Sequence, residues 1–96
     1  MPIQLRDMQE EVLEVVKRKE SKVRDRQLII HNDDVNTFDF VIECLISICE
    51  HDLIQAEQCT LIIHHNGKCT VKTGAIEKLK PMCLSLLNKG LSAEIY

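Results

Sequence analysis

The chain has 96 residues, 45% of them hydrophobic, with one Tyr, two Phe, no Trp and a formal net charge of −3. That length and composition give one domain with an aliphatic core. The lack of a basic face excludes a general nucleic-acid binder, and the lack of aromatic platforms excludes a single-strand binder.

Residues 1–25 alternate charge densely, from Arg6, Asp7, Glu10, Glu11 and Glu14 to Lys17, Arg18, Lys19 and Glu20. Leu5, Met8, Val12, Val15 and Val16 fit a helical stripe, with acids early and bases late, as the helix dipole favours. The stripe is short, and an isolated helix of this length is marginal. Residues 1–25 are therefore read as a mobile N-terminal extension, and 26–96 as the folded domain. No signal-peptide core or membrane-length apolar run is visible, so a cytoplasmic protein without membrane contact is expected.

Arg26 to His31 reads as a buried strand. It ends in the polar corner Asn32-Asp33-Asp34. Thr37 can cap a helix from Phe38 to about Cys49, with Phe38, Val41, Ile42, Leu45, Ile48 and Cys49 on one face. Asp52 can cap a second helix, Leu53 to His65, ended by Asn66-Gly67, a pair suited to a left-handed stop. Lys68 to Thr73 alternates Cys69 and Val71 with Lys68, Thr70 and Lys72, a strand with one wet face. A third helix runs from about Ile76 to Asn88 and stops at Gly90. Pro81 is expected to make it start late or bend. Leu91 to Ile95 makes a last short strand. The order β-α-α-β-α-β predicts an α+β, two-layer sandwich: a three-stranded antiparallel sheet packed against three helices.

Five cysteines, an odd number without a Cys-x-x-Cys pair, read as buried thiols of a reducing compartment. Taken alone, Asn32, Asp33 and Asp34 fit a turn or N-cap cluster, since such side chains bond their own backbone. A calcium loop through Asn32, Asp34, Asn36 and Glu43 fails, because Thr37 stands where the sharp turn needs Gly and a strand precedes it. His64 and His65 point about 100° apart on a helix, so only one can face a given site. Zinc would need further ligands at suitable spacing. No nucleophile elbow or Cys-His signature supports a hydrolase. What remains is a small polar site able to hold a cation beside an apolar pocket.

Asn32-Asp33-Asp34, Phe40-Val41-Ile42-Glu43 and His64-His65-Asn66-Gly67-Lys68 together resemble ClpS, the adaptor family that delivers N-degron substrates to the Clp protease. The resemblance covers residues 27–96 and includes the element order. The family fold is similar to the C-terminal domain of the ribosomal stalk protein. By position, the resemblance implies that Asn32, Asp33 and His64 grip a free α-amino group. It implies that Asn36, Phe38, Val41, Thr60, Ile63 and Leu91 wall the side-chain pocket. It further implies a non-enzymatic protein without cofactor or metal. Its partners would be N-degron proteins with an apolar first residue and the N-domain of a Clp AAA+ unfoldase of the ClpA or ClpC type. The family usually has Met where Phe38 and Thr60 stand, and often Thr where Asn36 stands. Phe38 is then expected to narrow or stiffen the mouth, and Thr60 to enlarge one wall and add a hydroxyl. The competing readings are a ribosomal-stalk-like interaction domain and a small metal-dependent hydrolase using His64, His65 and Asp33.

Overall fold

A computed structural model describes residues 25–96, so the extension read for residues 1–25 lies, but for Asp25, outside the described residues. The elements are β1 (Arg26–His31), α1 (Phe38–Cys49), α2 (Leu53–Asn66), β2 (Lys68–Gly74), α3 (Ile76–Asn88) and β3 (Ser92–Ile95). The sheet has the order β2-β1-β3 with both pairings antiparallel. The predicted architecture is therefore the observed one, with ends shifted by a residue or so. The central strand is β1 because its run Leu28-Ile29-Ile30 is buried throughout, with at most 5% exposure.

Local chemistry accounts for the helix starts. The Thr37 side chain accepts from the Phe40 N–H at 3.1 Å and the Asp52 side chain from the Gln55 N–H at 2.7 Å. Both satisfy donors that a helix start leaves orphaned. Gly67 ends α2 at φ 94°, a left-handed conformation that suits glycine. The end of α3 is a Schellman motif: Leu91 N–H reaches Leu86 O and Gly90 N–H reaches Leu87 O, each at 3.0 Å. The apolar contact that accompanies this motif joins Leu91 to Leu86, and both are buried. Leu91 thus belongs to the α3 stop rather than to the last strand.

Of the two outcomes expected at Pro81, the late start is not seen. Helix α3 begins at Ile76 and continues through Pro81, its sixth residue. The missing N–H leaves the Glu77 carbonyl without its helical donor. Burial of Leu79, Met82, Cys83 and Leu86 on the sheet side holds the helix together across that gap.

The core lies between the sheet and the helices. Leu28, Ile30 and Val71 meet Val41, Cys44, Leu45, Cys49, Ala56, Ile63, Leu79 and Leu86. A bulge interrupts the β1–β2 ladder between Leu28 and Ile29, where Leu28 pairs with Lys72 but Ile29 with Thr70. The extra residue, Val71, turns its carbonyl to buried His51, whose Nε2–H donates to it at 2.6 Å. A buried carbonyl left out of the ladder thereby recovers a partner.

Candidate functional site

Four chain segments converge at one end of the sheet. β1 ends at His31, and the next residue, Asn32, donates its N–H to Gly67 O at 2.8 Å. That bond joins the polar corner to the last turn of α2, which carries His64. His31 Nε2 donates to Glu94 Oε2 at 2.5 Å and so ties the same end of β1 to β3. Asn36 completes the junction by donating from Nδ2 to Gly90 O at 2.9 Å, in the loop between α3 and β3.

Asp33 is the organising side chain of the corner. Its Oδ1 accepts from the Val35 N–H at 3.0 Å and the Asn36 N–H at 2.9 Å, and its Oδ2 accepts from Asn36 Nδ2 at 3.0 Å. The turn reading and the site reading of this residue are therefore compatible: the turn fixes a carboxylate that lines the cavity. The Asn36 N–H foremost, then the Asn36 side chain and the Val35 N–H, hold the carboxyl below its ordinary value against a raising contribution from burial. Three donors occupy part of the capacity of an ionised carboxylate, which can accept about four bonds. One acceptor position at Oδ2 is left for a ligand.

A cavity of about 350 Å³ opens beside this corner, within the range typical of small-ligand sites. Asn32, Asp33, Asp34, Asn36 and His64 form its polar side, and Phe38, Val41, Thr60 and Ile63 its apolar walls. Eight of the nine residues named from the sequence thus line one cavity, together with Asp34. Leu91 is not among them; it is 3% exposed and packs in the helix-side core. No local pattern signals that Asn36, read as a wall, bridges the corner to Gly90, because its partner lies 54 residues away. His65 lies outside the lining. Its ring meets that of His64 at 5.2 Å and 73°.

The hydroxyl expected at Thr60 is already engaged. Its Oγ1 donates to Ala56 O at 2.7 Å within α2. The side chain is 3% exposed, so the cavity meets a small, nearly apolar surface there. Phe38 is 39% exposed at the mouth, and its ring lies 6.2 Å from that of His64 at 81°.

The electrostatics favour a cation. The carbonyl end of α2 faces the corner and carries partial negative charge, whereas the amide end of α1 is positive. Asp33 and Asp34 settle the balance by placing two carboxylates on the polar side. Among the described residues no three His, Cys, Asp or Glu side chains gather closely enough to hold a metal ion. The pair His64–His65 with Asp33 therefore does not form a metal-ligand set here. No described helix is long and apolar enough to cross a membrane.

The family model described as "ATP-dependent Clp protease adaptor protein ClpS" matches residues 21–94. A relative from Campylobacter jejuni subsp. jejuni serotype O:23/36, named ATP-dependent Clp protease adapter protein ClpS, is 44% identical over 68 residues, covering 69% of each chain. A relative of the same name from Edwardsiella ictaluri is 34% identical over 64 residues, covering 65% of this chain and 58% of its own. In three dimensions the fold resembles the solved structure of Agrobacterium tumefaciens ClpS2 bound to L-phenylalaninamide, with a TM-score of 0.73. That match covers 76% of this chain and 95% of the other, and at 14% identity it speaks for the shared fold.

Proposed function

Because the chain belongs to the ClpS family of ATP-dependent Clp protease adaptor proteins, we propose that its cavity receives the first residue of proteins destined for degradation. In this reading the protein catalyses nothing. It holds the free α-amino group and apolar first side chain of an N-degron protein and presents that protein to a Clp AAA+ unfoldase of the ClpA or ClpC type. Residues 26–96 are the receptor domain, and residues 1–25 are an extension that acts during delivery.

The observation that carries the reading is the pairing of acceptors with an apolar wall in one cavity. An α-ammonium has a pKa near 8 and offers three donors at neutral pH. The Asn32 amide oxygen, the Asp33 carboxylate and a neutral His64 imidazole are matching acceptors around the polar side. Bonds to a charged donor are the stronger class. Beyond them, Val41, Thr60 and Ile63 offer a surface for an apolar side chain. The ligand of the related ClpS2 structure, L-phenylalaninamide, supports the reading by its chemistry, since it has a free amino group, an aromatic side chain and no free carboxylate.

Fluorescence anisotropy with peptides beginning in Leu or Phe tests the proposal. Acetylation removes the charge and donors of the terminus and leaves acceptors unpaired, at about 1–3 kcal/mol per lost partner. The free peptide should bind at least tenfold more tightly than the acetylated one. His64→Ala should remove most of that difference and His65→Ala little of it. Equal binding of free and blocked peptides overturns the amino-terminus reading.

A further inference from the structure

His64 poses a problem of orientation. Its imidazole stands on the outer surface of the last α2 turn, where a side chain ordinarily samples several rotamers. Among the described residues the hydrogen-bonded imidazoles are those of His31 and His51. What bounds the His64 ring is aromatic: Phe38 at 6.2 Å and 81° on one side and His65 at 5.2 Å and 73° on the other. Both geometries are edge-to-face, the arrangement that ring quadrupoles favour.

Of the two neighbours, Phe38 is the one that lines the cavity. It is the first residue of α1, directly after the cap Thr37. The Thr37 carbonyl accepts from the Val41 N–H at 3.1 Å, so the backbone that carries Phe38 is fixed on both sides. His65, by contrast, lies outside the cavity lining. Phe38 therefore stands at the mouth of the cavity in contact with the group assigned to the amino terminus, while its own surface forms part of the apolar wall.

We infer that Phe38 is a positioning residue for His64. Its ring holds the imidazole edge-on so that a ring nitrogen faces the amino group, and so couples amino-group recognition to the side-chain pocket. The inference rests on the reading of His64 as an acceptor for the α-ammonium, and its test separates the two. A plain wall residue would contribute through the first side chain of the peptide alone. A positioning residue contributes through His64, even when that side chain is small.

The experiment is a double-mutant cycle on the full chain with Phe38→Leu and His64→Ala. It is read by anisotropy with free and acetylated peptides whose first residue is Ala or Phe. Leu keeps an apolar wall without the ring. Phe38→Leu should weaken the free Ala-first peptide roughly two- to tenfold, the worth of an aromatic pair. It should leave the acetylated form unchanged, and the loss should vanish in the His64→Ala background. Phe38→Tyr keeps the ring and should restore wild-type binding. In NMR spectra at fixed pH, Phe38→Leu should also remove the ring-current shift of the His64 ring protons. Additive losses from the two substitutions, or unchanged His64 ring protons, overturn the positioning role while leaving His64 as an acceptor. If His64→Ala has no effect on the free peptides, the functional reading itself fails, and the inference falls with it.

Discussion

Asp33 is asked to do two things, and its surroundings allow both. A carboxylate that only closed a turn would be interchangeable with Asn, whose side-chain oxygen can accept the same backbone bonds. Here the second oxygen meets Asn36 Nδ2 at 3.0 Å. In Asp33→Asn an amide nitrogen would face that donor, and the bond from Asn36 Nδ2 to the side chain at position 33 would be lost. The variant should fold, keep its turn, and bind free-terminus peptides at least tenfold more weakly, as expected for loss of a charge-assisted bond. The pH dependence has a definite sign. The folded-state pKa of Asp33 lies below its ordinary 3.8, so its contribution to stability is present above that value and is lost as pH falls on toward the lower folded-state value. Thermal melts from pH 6 to pH 2.5 should show a steeper acid loss for the wild type than for Asp33→Asn. Parallel curves would mean that the carboxylate is no better bonded folded than unfolded.

At the scale of elements, α3 sets a sequence rule against tertiary packing, and packing wins. Proline inside a helix removes a hydrogen bond and crowds the preceding turn, at a cost near 3 kcal/mol. The helix nonetheless runs from Ile76 to Asn88, because Leu79 and Leu86 are completely buried against the rest of the core. Pro81→Ala should return the donor to the Glu77 carbonyl and raise stability by about 1–3 kcal/mol in urea unfolding, with peptide affinity unchanged. A loss of stability would show that the ring packs better than the missing bond costs. The same contrast separates what could be read in the sequence from what could not. Caps at Thr37 and Asp52, the stops at Gly67 and Gly90 and the order of strands and helices follow from neighbours within a few positions. The polar corner and His64 were legible as motif residues. The Asn36 bridge to Gly90, the bulge that turns Val71 toward His51 and the burial of Leu91 depend on partners brought together only by the fold, and no local pattern encodes them.

On the scale of the whole molecule, the cavity has no element of its own. Its parts come from the end of β1, the start of α1 and the last turns of α2, tied to the loop before β3, so it exists only while the common core is intact. That core is built partly from thiols: Cys44, Cys49 and Cys83 are buried at 3%, 0% and 8% exposure. Burial pushes the Cys49 thiol up to about 11 and the Cys69 thiol to about 12, and raises Cys44 and Cys83 as well. For a group whose folded pKa is raised, the linked stability is complete below the unfolded value, here 9.0, and is lost as pH climbs toward the folded one. The unfolded chain ionises its thiols first, and the equilibrium follows. For Cys49 alone the loss by pH 10.5 comes to roughly 2 kcal/mol, since each pKa unit corresponds to about 1.4 kcal/mol. Cys49→Ala removes that linkage together with some core volume. It should be less stable than the wild type at pH 7 but should lose stability less steeply between pH 9 and pH 10.5. Denaturant midpoints across that range measure the difference, and equal slopes for the two proteins would refute the assignment.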